Sequence, residues 1–336
     1  MRTKSKKEKN MIGLWIALGM LALVLFLCSV ASIYLILHSF TRISNPSERF
    51  TAYCERLREK RLVAMADKLS KGKEALDNEA KEDVWIMAND GKKLHGVVIE
   101  SNSDTTQTAI LVHGYRGQGG SDFATVWQYY KSRGYRVVVI DQRSHGQSEG
   151  YLITFGKREQ YDVANWVEYV LSTYGENQDI VLHGVSMGAA TVLLSTSLEE
   201  NAGRIKALVA DCGYLSPKQQ FTHMFKTMHL PHFPLFHIAN FWMKCICGYW
   251  FGELHTGQAL AKINIPVLLI HGAEDYFVPT ECSRINFEFA NEPKTLYLVP
   301  DAPHAAASMI DTEGYFDALD EFFGNITNFS QKTQKM

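Results

Sequence analysis

Short apolar runs that alternate with helical stretches limit the possible folds of this chain more than any other feature of its sequence. The runs begin at Val84, contain many β-branched residues and are apolar on both faces. Strands of this kind, separated by helices, form a mostly parallel sheet covered by helices on both sides. The predicted strands of this eight-stranded sheet are Val84–Met87, Leu94–Glu100, Ala109–Val112, Arg136–Ile140, Ile180–Leu182, Ala207–Ala210, Val267–Ile270 and Thr295–Val299. The predicted helices lie near Asp122–Arg133, Arg158–Tyr174, Met187–Glu199, Thr280–Ala290 and Tyr315–Phe323.

Two connections depart from this α/β alternation. The first two strands are joined by the short stretch ANDGKK, whose Asp90-Gly91 pair is typical of a hairpin turn, so the sheet is expected to begin antiparallel. Gly213–Gly257 lies between two predicted strands, contains three prolines and is rich in aromatic residues. We predict that this segment is an inserted helical cap over the strand ends, where open sheets bind ligands.

The N-terminus combines a basic flank, residues 1–10, with an apolar run, Met11–Leu37, that contains no charged residue. About 20 apolar residues suffice to cross a bilayer, so residues 11–38 are predicted to be an uncleaved transmembrane signal-anchor. A cleaved signal peptide, with Ser29–Ser32 as its cleavage site, and a buried core helix are the alternatives. The basic flank predicts a single-pass protein of the cell membrane, with a cytoplasmic N-terminus and the rest of the chain outside the cytoplasm.

The segment between the apolar run and the first strand, residues 39–82, is rich in charged residues and good helix formers. It predicts a stalk with an amphipathic helix from about Ser47 to Ser70, followed by a polar linker. The main domain is then expected at residues 83–325, and residues 326–336 form a polar tail.

Charge and cysteine content argue against several classes of function. The formal net charge of −2 gives no electrostatic basis for binding nucleic acid. The six cysteines show no zinc-type spacing, and we interpret them as mostly free and structural. His229 and His232 are separated by Pro231, which prevents them from sharing a helix face. No metal and no organic cofactor is predicted, and the oligomeric state is not indicated.

Ser186 stands in the pattern G-x-S-x-G, immediately after a predicted strand and before a predicted helix. A sharp strand-to-helix turn exposes such a serine in a strained backbone conformation, and Gly184 and Gly188 leave the space that the turn needs. The N–H groups of the following helix favour negative charge near the serine. The pattern therefore predicts a nucleophile.

A serine nucleophile needs a base to accept its proton and an acid to orient that base. His304 stands alone on a loop after the last predicted strand, and Asp275 lies on the loop after the preceding strand. Their order along the chain, Ser186, Asp275, His304, is the order of nucleophile, acid and base in one class of hydrolases. Asp211, at the end of the sixth strand, is the alternative acid. Three other histidines end strands and are interpreted as structural or pocket-lining: His113, His183 and His271.

The chain from about Val84 to Gly324 resembles the α/β-hydrolase superfamily, most of all the serine aminopeptidase-like and lysophospholipase-like branch. The resemblance rests on LVHGYRGQGG, DQRSHGQSEG, GVSMG, and IHGAEDYFVP followed by APH. It implies an oxyanion hole formed by the backbone N–H groups of Tyr115 and Met187, and no cofactor. Substrate contacts are predicted for four residues of the surrounding loops: His113, Gly114, Tyr214 and Phe277.

Three functions remain open after this comparison. The first is a serine esterase that acts on a small-molecule or lipid-like ester with an apolar acyl group. The second is a peptidase or amidase that uses the same triad. The third is a binding protein that keeps only the fold. An aminopeptidase would need acidic residues in the cap to bind the substrate ammonium, and the cap offers almost none before Glu253, which favours the ester.

Overall fold

The computed structural model describes residues 2–42, 60–201 and 203–333 of the 336-residue chain, with side chains for residues 8–42, 65–201 and 203–326. The chain divides into two compact units. The helical unit comprises Met1–Thr41 and Phe221–Phe251, and the sheet unit comprises Arg42–Gln220 and Gly252–Met336.

The sheet unit is built on one eight-stranded sheet with the strand order β1-β2-β4-β3-β5-β6-β7-β8. The strands β1 and β2 are antiparallel to each other, β2 is antiparallel to β4, and every later pairing is parallel. All eight predicted strands are confirmed, as is the antiparallel start. Their bounds are β1 Glu82–Met87, β2 Lys93–Ile99, β3 Gln107–Val112, β4 Arg136–Ile140, β5 Asp179–Val185, β6 Ile205–Asp211, β7 Val267–Gly272 and β8 Lys294–Val299.

Helices cover both faces of this sheet, as the doubly apolar strands predict. On β3, Leu111 packs into a cluster that includes Trp127 and Tyr315, whereas Ile110 packs on the opposite face with Trp166. The α-helices of the described residues are α1 Arg2–Phe40, α2 Lys60–Asn78, α3 Gly119–Asp122, α4 Trp127–Ser132, α5 Glu159–Tyr174, α6 Met187–Ser195, α7 Pro217–Thr227, α8 His237–Cys247, α9 Thr256–Leu260, α10 Glu281–Phe289, α11 Ala307–Ile310 and α12 Thr312–Thr333.

Three predicted segments differ from the structure. The helix predicted over Asp122–Arg133 is two short helices, α3 and α4, joined by a turn. The last helix, α12, begins before the predicted Tyr315–Phe323 and runs on into the segment expected to be a polar tail. The helix expected over Ser47–Ser70 is α2, which continues to Asn78 where a linker was predicted. The first part of that prediction, residues 47–59, lies outside the described residues.

The helix α2 packs on the sheet unit and does not project from it as a stalk would. Leu76 is buried in the hydrophobic core, and a Cβ atom at Gly72 would lie 2.2 Å from the backbone oxygen of Ala124. Lys68 Nζ donates hydrogen bonds to the Met309 carbonyl and to Thr312 Oγ1, at 2.7 and 2.9 Å. The sequence predicted an amphipathic stalk helix here, and the structure shows that Leu76 and Gly72 dock this helix onto the domain.

The helical unit combines α1 with most of the insertion between β6 and β7. The insertion contains α7, an irregular turn at His232–Phe236 and α8. The second half of α1 packs against this turn and against α8. The predicted helical insertion is therefore present, and its segment Phe221–Phe251 forms a compact body with the N-terminal helix.

Candidate active site

Ser186 occupies the turn between β5 and α6 in a backbone conformation that L-amino acids rarely adopt. Its φ and ψ angles are 56° and −115°, and it is the residue that precedes the first turn of α6. The Ser186 N–H donates a hydrogen bond of 2.8 Å to the carbonyl oxygen of Asp211, at the end of β6. Such strain persists only where the surrounding structure determines it, and it is concentrated at functional sites.

The two glycines of the motif are required by close backbone approaches on either side of Ser186. A Cβ atom at Gly188 would lie 1.9 Å from the backbone oxygen of Val112, and one at Gly184 would lie 2.3 Å from the oxygen of Gly188. Any side chain at these positions would push α6 away from the sheet. The crowding explains why a serine between two glycines occurs at this point of the sequence.

Ser186, His304 and Asp275, which are far apart in the sequence, are connected here by hydrogen bonds. The distance from Ser186 Oγ to His304 Nε2 is 2.8 Å, and His304 Nδ1 lies 2.6 Å from Asp275 Oδ2. A carboxylate can only accept, so Nδ1 carries the proton and Nε2 is free to accept from the serine hydroxyl. The structure thus brings the three predicted triad side chains together.

Asp275 is buried, and hydrogen-bond donors surround its carboxylate. Its Oδ1 accepts from the N–H groups of Phe277 and Val278, at 2.9 and 2.8 Å. Its Oδ2 faces both His304 and His271. Burial alone would raise the pKa of Asp275, but the hydrogen bonds from the two histidines hold this pKa well below its usual value. Asp275 is therefore ionised throughout the neutral range.

His271 is a part of this site that the sequence interpretation did not recognise, beyond a general structural or pocket-lining role. Its Nε2 lies 3.2 Å from Asp275 Oδ2 and 3.0 Å from the carbonyl oxygen of Val278, while its Nδ1 lies 2.6 Å from Ser283 Oγ. Two acceptors around Nε2 assign the proton to that atom, so Ser283 donates to Nδ1. His271 then donates to the same carboxylate oxygen as His304. The sequence feature that could have indicated this role is the position of His271 at the end of a strand, four residues before Asp275.

Asp211, the alternative acid, is buried next to the C-terminal helix. Its Oδ2 accepts a hydrogen bond of 3.2 Å from the hydroxyl of Tyr315, on α12. That hydroxyl is 3.1 Å from His183 Nε2, and His183 Nδ1 is 3.0 Å from the hydroxyl of Tyr130. The hydrogen-bond partner of Asp211 Oδ2 is thus on the C-terminal helix, whereas the carboxylate that contacts His304 is that of Asp275.

Burial changes the pKa of two residues in this series of hydrogen-bonded side chains. Asp211 is removed from water, which raises its pKa to about 6, although the hydroxyl of Tyr315 opposes this shift in part. Burial also lowers the pKa of His183 to about 3, so this histidine is neutral. These hydrogen-bonded side chains therefore support the end of β6, next to Ser186, from within the core.

The predicted oxyanion hole consists of the backbone N–H groups of Met187 and Tyr115, which belong to two segments next to the nucleophile. Met187 is the first residue of α6, so its N–H has no acceptor within the helix. A Cβ atom at Gly114 would lie 3.1 Å from Ser186 Cβ, so the loop after β3 passes directly beside the serine. The Gly114 N–H is used by Asp122 Oδ2, at 2.6 Å. This leaves the next residue, Tyr115, as the predicted second donor.

The predicted substrate-binding residues occupy different environments. The ring centroids of Phe277 and His304 are 4.9 Å apart, and the Phe277 side chain is partly exposed. Tyr214 is buried, and its hydroxyl donates a 2.9 Å hydrogen bond to the Phe155 carbonyl. His113 is fully buried, and its two ring nitrogens contact the Gly114 carbonyl and the Gln142 N–H. These bonds give His113 a structural role behind the loop, and its contact with substrate stays a prediction, as do those of Gly114, Tyr214 and Phe277.

Among the described residues, one group has the composition of a metal site: Cys212, Asp275 and His304, whose ligand atoms lie within 4.8 Å of one another. Burial raises the pKa of the Cys212 thiol well above its usual value, so the thiolate that a metal needs is not formed. Asp275 and His304 already bond to each other. These residues fit a proton-transfer site better than a metal site.

Comparisons with known proteins point to a hydrolase family. Residues 103–243 match the family described as serine aminopeptidase, S33. The chain is 28% identical over 229 residues to the uncharacterized protein YqkD of Bacillus subtilis, which covers 68% of this chain and 74% of that protein. It is 30% identical over 233 residues to the uncharacterized protein YfhR of Escherichia coli, covering 67% and 74% of the two chains.

Two further similarities are with proteins named for ester hydrolysis. The lysophosphatidylserine lipase ABHD12 of Macaca fascicularis is 23% identical over 186 residues, which cover 54% of this chain and 44% of that protein. The structure of the Pyrococcus furiosus esterase Pf2001 superimposes with a TM-score of 0.61 at 26% identity, covering 75% of this chain and 93% of the esterase.

Proposed function

Because the chain belongs to the serine aminopeptidase S33 family of α/β-hydrolases, we propose that it is a membrane-anchored serine hydrolase that cleaves carboxylic esters with apolar acyl groups. The observation that carries this proposal is the hydrogen-bonded series from Ser186 Oγ to His304 and on to Asp275, with distances of 2.8 and 2.6 Å. It begins at a strained turn, as a nucleophile requires.

The reaction follows from the protons and acceptors in the site. Ser186 Oγ attacks the acyl carbonyl carbon while its proton passes to His304 Nε2. The carbonyl electrons move to oxygen, where the N–H groups of Met187 and Tyr115 stabilise the negative charge. His304 then protonates the leaving alkoxide, and the acyl group remains on Ser186. Water attacks this ester in the same way, gives its proton to His304, and releases the carboxylic acid and the free serine.

Asp275 keeps its negative charge through both halves of this cycle. Its carboxylate fixes the Nδ1–H tautomer of His304, which leaves Nε2 free to accept, and it stabilises the imidazolium that forms in each transition state. The low pKa of Asp275 means that the proton stays on the histidine. His271 holds the carboxylate oxygen in place and acts through Asp275.

An ester substrate is favoured over a peptide by the charge of the insertion. Residues 212–252 contain no aspartate or glutamate, so this segment offers no carboxylate to a substrate ammonium group. The exposed Phe277 ring beside His304 suits an apolar acyl group. The family description nevertheless names an aminopeptidase, so hydrolysis of an amino-acid amide is the second candidate.

Membrane anchoring is proposed for α1, whose segment Glu8–Phe40 is long and apolar enough to cross a bilayer. A signal sequence has the same properties, so the residues after the candidate cleavage site matter. Ser32, Ile36 and Phe40 lie at or beyond Ser29–Ser32 and are buried within the helical unit, so a chain cut there would keep these contacts. The apolar run continues past the site to Leu37, where a cleaved signal peptide would turn polar, and this supports a retained anchor. Protease added to intact cells should digest the chain beyond Ser39 and spare the basic flank, and the reverse result would overturn this orientation.

The esterase proposal is tested with the full-length protein in detergent, on esters of increasing acyl length and on a matched series of amino-acid amides. We expect turnover of the esters to exceed that of the amides, and Ser186→Ala to lose both. Faster turnover of the amides would establish the peptidase alternative. An inactive wild type with an intact fold would support the binding-protein alternative.

A further inference from the structure

The environment of α1 changes abruptly near Cys28. Every residue of Met11–Leu27 is exposed, including Trp15, which is 70% exposed. Beyond Cys28 one side of the helix is buried, because it packs against α8 and the preceding turn. The first part of the apolar run therefore has no protein partner among the described residues, whereas the second part belongs to the core of the helical unit.

The second part of α1 is held by specific contacts within this unit. Ser32 is fully buried, and its Oγ donates a hydrogen bond of 3.4 Å to the Leu235 carbonyl. The Phe40 ring is also buried, and it stacks at 5.2 Å on Phe221 and lies 6.1 Å from Phe251. The insertion is thus fixed to α1 at two points separated by two turns of helix.

The rise per residue along α1 gives the depth of the insertion relative to the bilayer. An α-helix rises about 1.5 Å per residue, so about 20 residues cross the roughly 30 Å hydrocarbon core of a bilayer. A helix that enters this core at Met11 leaves it near Ala31, next to Ser32 and its partner Leu235. If the helix is tilted, it leaves the hydrocarbon core at a later residue, and the insertion then lies deeper in the bilayer. The contact with Leu235 therefore lies at the far surface of the hydrocarbon core.

The insertion exposes large apolar side chains, and one of them lies next to the Leu235 contact in the sequence. Phe233, two residues before Leu235, is 79% exposed, and Phe241 is 51% exposed on the open face of α8. Met228 and Trp250 are exposed as well, at 56% and 41%. The Phe233 ring centroid lies 5.9 Å from that of His237, and Phe241 is one turn further along α8 on the same side. Exposed apolar residues that group in this way often mark a surface for a partner or a membrane.

The charges around these side chains are of one sign. Lys226 and Lys244 are exposed in the same unit, and residues 212–252 contain no acidic side chain. Aromatic rings combined with lysines and without carboxylates are typical of surfaces that lie in the headgroup region of anionic membranes. A positively charged apolar surface at the depth of the headgroups has a bilayer as its matching partner.

We propose that the insertion is seated in the headgroup region of the bilayer that α1 crosses, with Phe233 and Phe241 in contact with acyl chains. This inference rests on the proposed membrane anchoring. It adds that the membrane binds the protein through a second surface, formed by residues nearly 200 positions away from the anchor in the sequence. A second copy of the chain is the alternative occupant of this surface, and the test below separates the two.

The test uses the full-length protein in vesicles of phosphatidylglycerol and phosphatidylcholine, with the photoreactive amino acid p-benzoyl-phenylalanine at one position at a time. The positions are Leu21, on the exposed part of α1, then Phe233 and Phe241, and Trp85 as the control. Trp85 is 48% exposed on the edge strand of the sheet unit, so its side chain is matched in size and exposure. Covalent lipid adducts are measured by mass spectrometry.

We expect lipid adducts at Leu21, Phe233 and Phe241, at least tenfold above the level at Trp85. Adducts at Leu21 but none above the Trp85 level at Phe233 and Phe241 would overturn this inference and leave the anchor intact. The absence of adducts at Leu21 would instead refute the anchoring on which it rests. Protein–protein crosslinks at Phe233 in place of lipid adducts would identify a second copy as the occupant and overturn the proposal.

Discussion

The substitution Asp275→Asn is expected to slow catalysis strongly, because it changes the tautomer of His304. Oδ1 of Asp275 accepts from two backbone N–H groups, so the amide oxygen of the asparagine will take that position. Its NH₂ group must then face His304 Nδ1, which has to accept and moves its own proton to Nε2. In that tautomer His304 cannot accept the proton of Ser186.

The size of this effect follows from the loss of the base. A wrong tautomer with the geometry preserved costs on the order of 10⁴ in turnover, the figure known for the equivalent aspartate of a chymotrypsin-like protease. This corresponds to roughly 5 kcal/mol of transition-state stabilisation. The asparagine is close to the aspartate in volume, and most of its hydrogen bonds remain, so we expect little change in melting temperature.

The assay is the turnover of a soluble ester by the full-length protein, with Asp211→Asn as the matched control. The control replaces another buried aspartate at a neighbouring strand end, and its amide oxygen can still accept from Tyr315. We expect kcat to fall by several hundredfold or more for Asp275→Asn and by less than tenfold for Asp211→Asn. A larger loss for Asp211→Asn would show that the acid of the triad is assigned wrongly.

Three further predictions concern the supports of this site. The substitution His271→Leu removes a hydrogen-bond donor to Asp275. We expect kcat to fall about tenfold with KM unchanged, because this is the contribution of one hydrogen bond to a charged group. An unchanged kcat would show that His271 only fills space. Gly188→Ala should destabilise the fold by about 3 kcal/mol or more, on the order of the cost of severe overpacking. The control Gly324→Ala has no atom within 4 Å of the added methyl group and should not lower the melting temperature. Equal melting temperatures of the two variants would contradict the crowding at the turn. Asp211 has a pKa raised from 3.8 to about 6 in the folded state, so its contribution to stability is present below pH 4 and is lost as the pH rises through 6. The wild type should therefore lose about 2 kcal/mol relative to Asp211→Asn in the free energy of unfolding between pH 4 and pH 7, measured by urea denaturation; a difference that does not change with pH would place Asp211 in contact with water.

The sequence predicted those features that depend on local patterns. The eight strands follow from short apolar runs, and the position of Ser186 follows from the two glycines that its turn requires. The pairing of Asp275 with His304 could be expected because each follows the end of a neighbouring parallel strand, where loops meet at one edge of the sheet.

The remaining features depend on contacts between distant parts of the chain. The partner of Asp211 is Tyr315, on a helix more than 100 residues away, and no local pattern connects the two. The docking of α2 depends on Leu76 and Gly72. These two positions lie among many polar residues and do not form a recognisable pattern in the sequence. The packing of Ser32 against Leu235 likewise has no signal in an apolar run whose composition is uniform. Each of these is decided by which surfaces meet, and spacing along the sequence does not encode that.

Covalent labelling of the nucleophile tests the central claim most directly. Full-length protein is treated with a fluorophosphonate, which reacts with an activated serine, and the modified residue is mapped by peptide mass spectrometry. We expect one phosphonylated residue, Ser186, and we expect both the label and ester hydrolysis to be lost in Ser186→Ala while the melting temperature is retained. Labelling of a different residue, or hydrolysis by Ser186→Ala at the rate of the wild type, would contradict the mechanism.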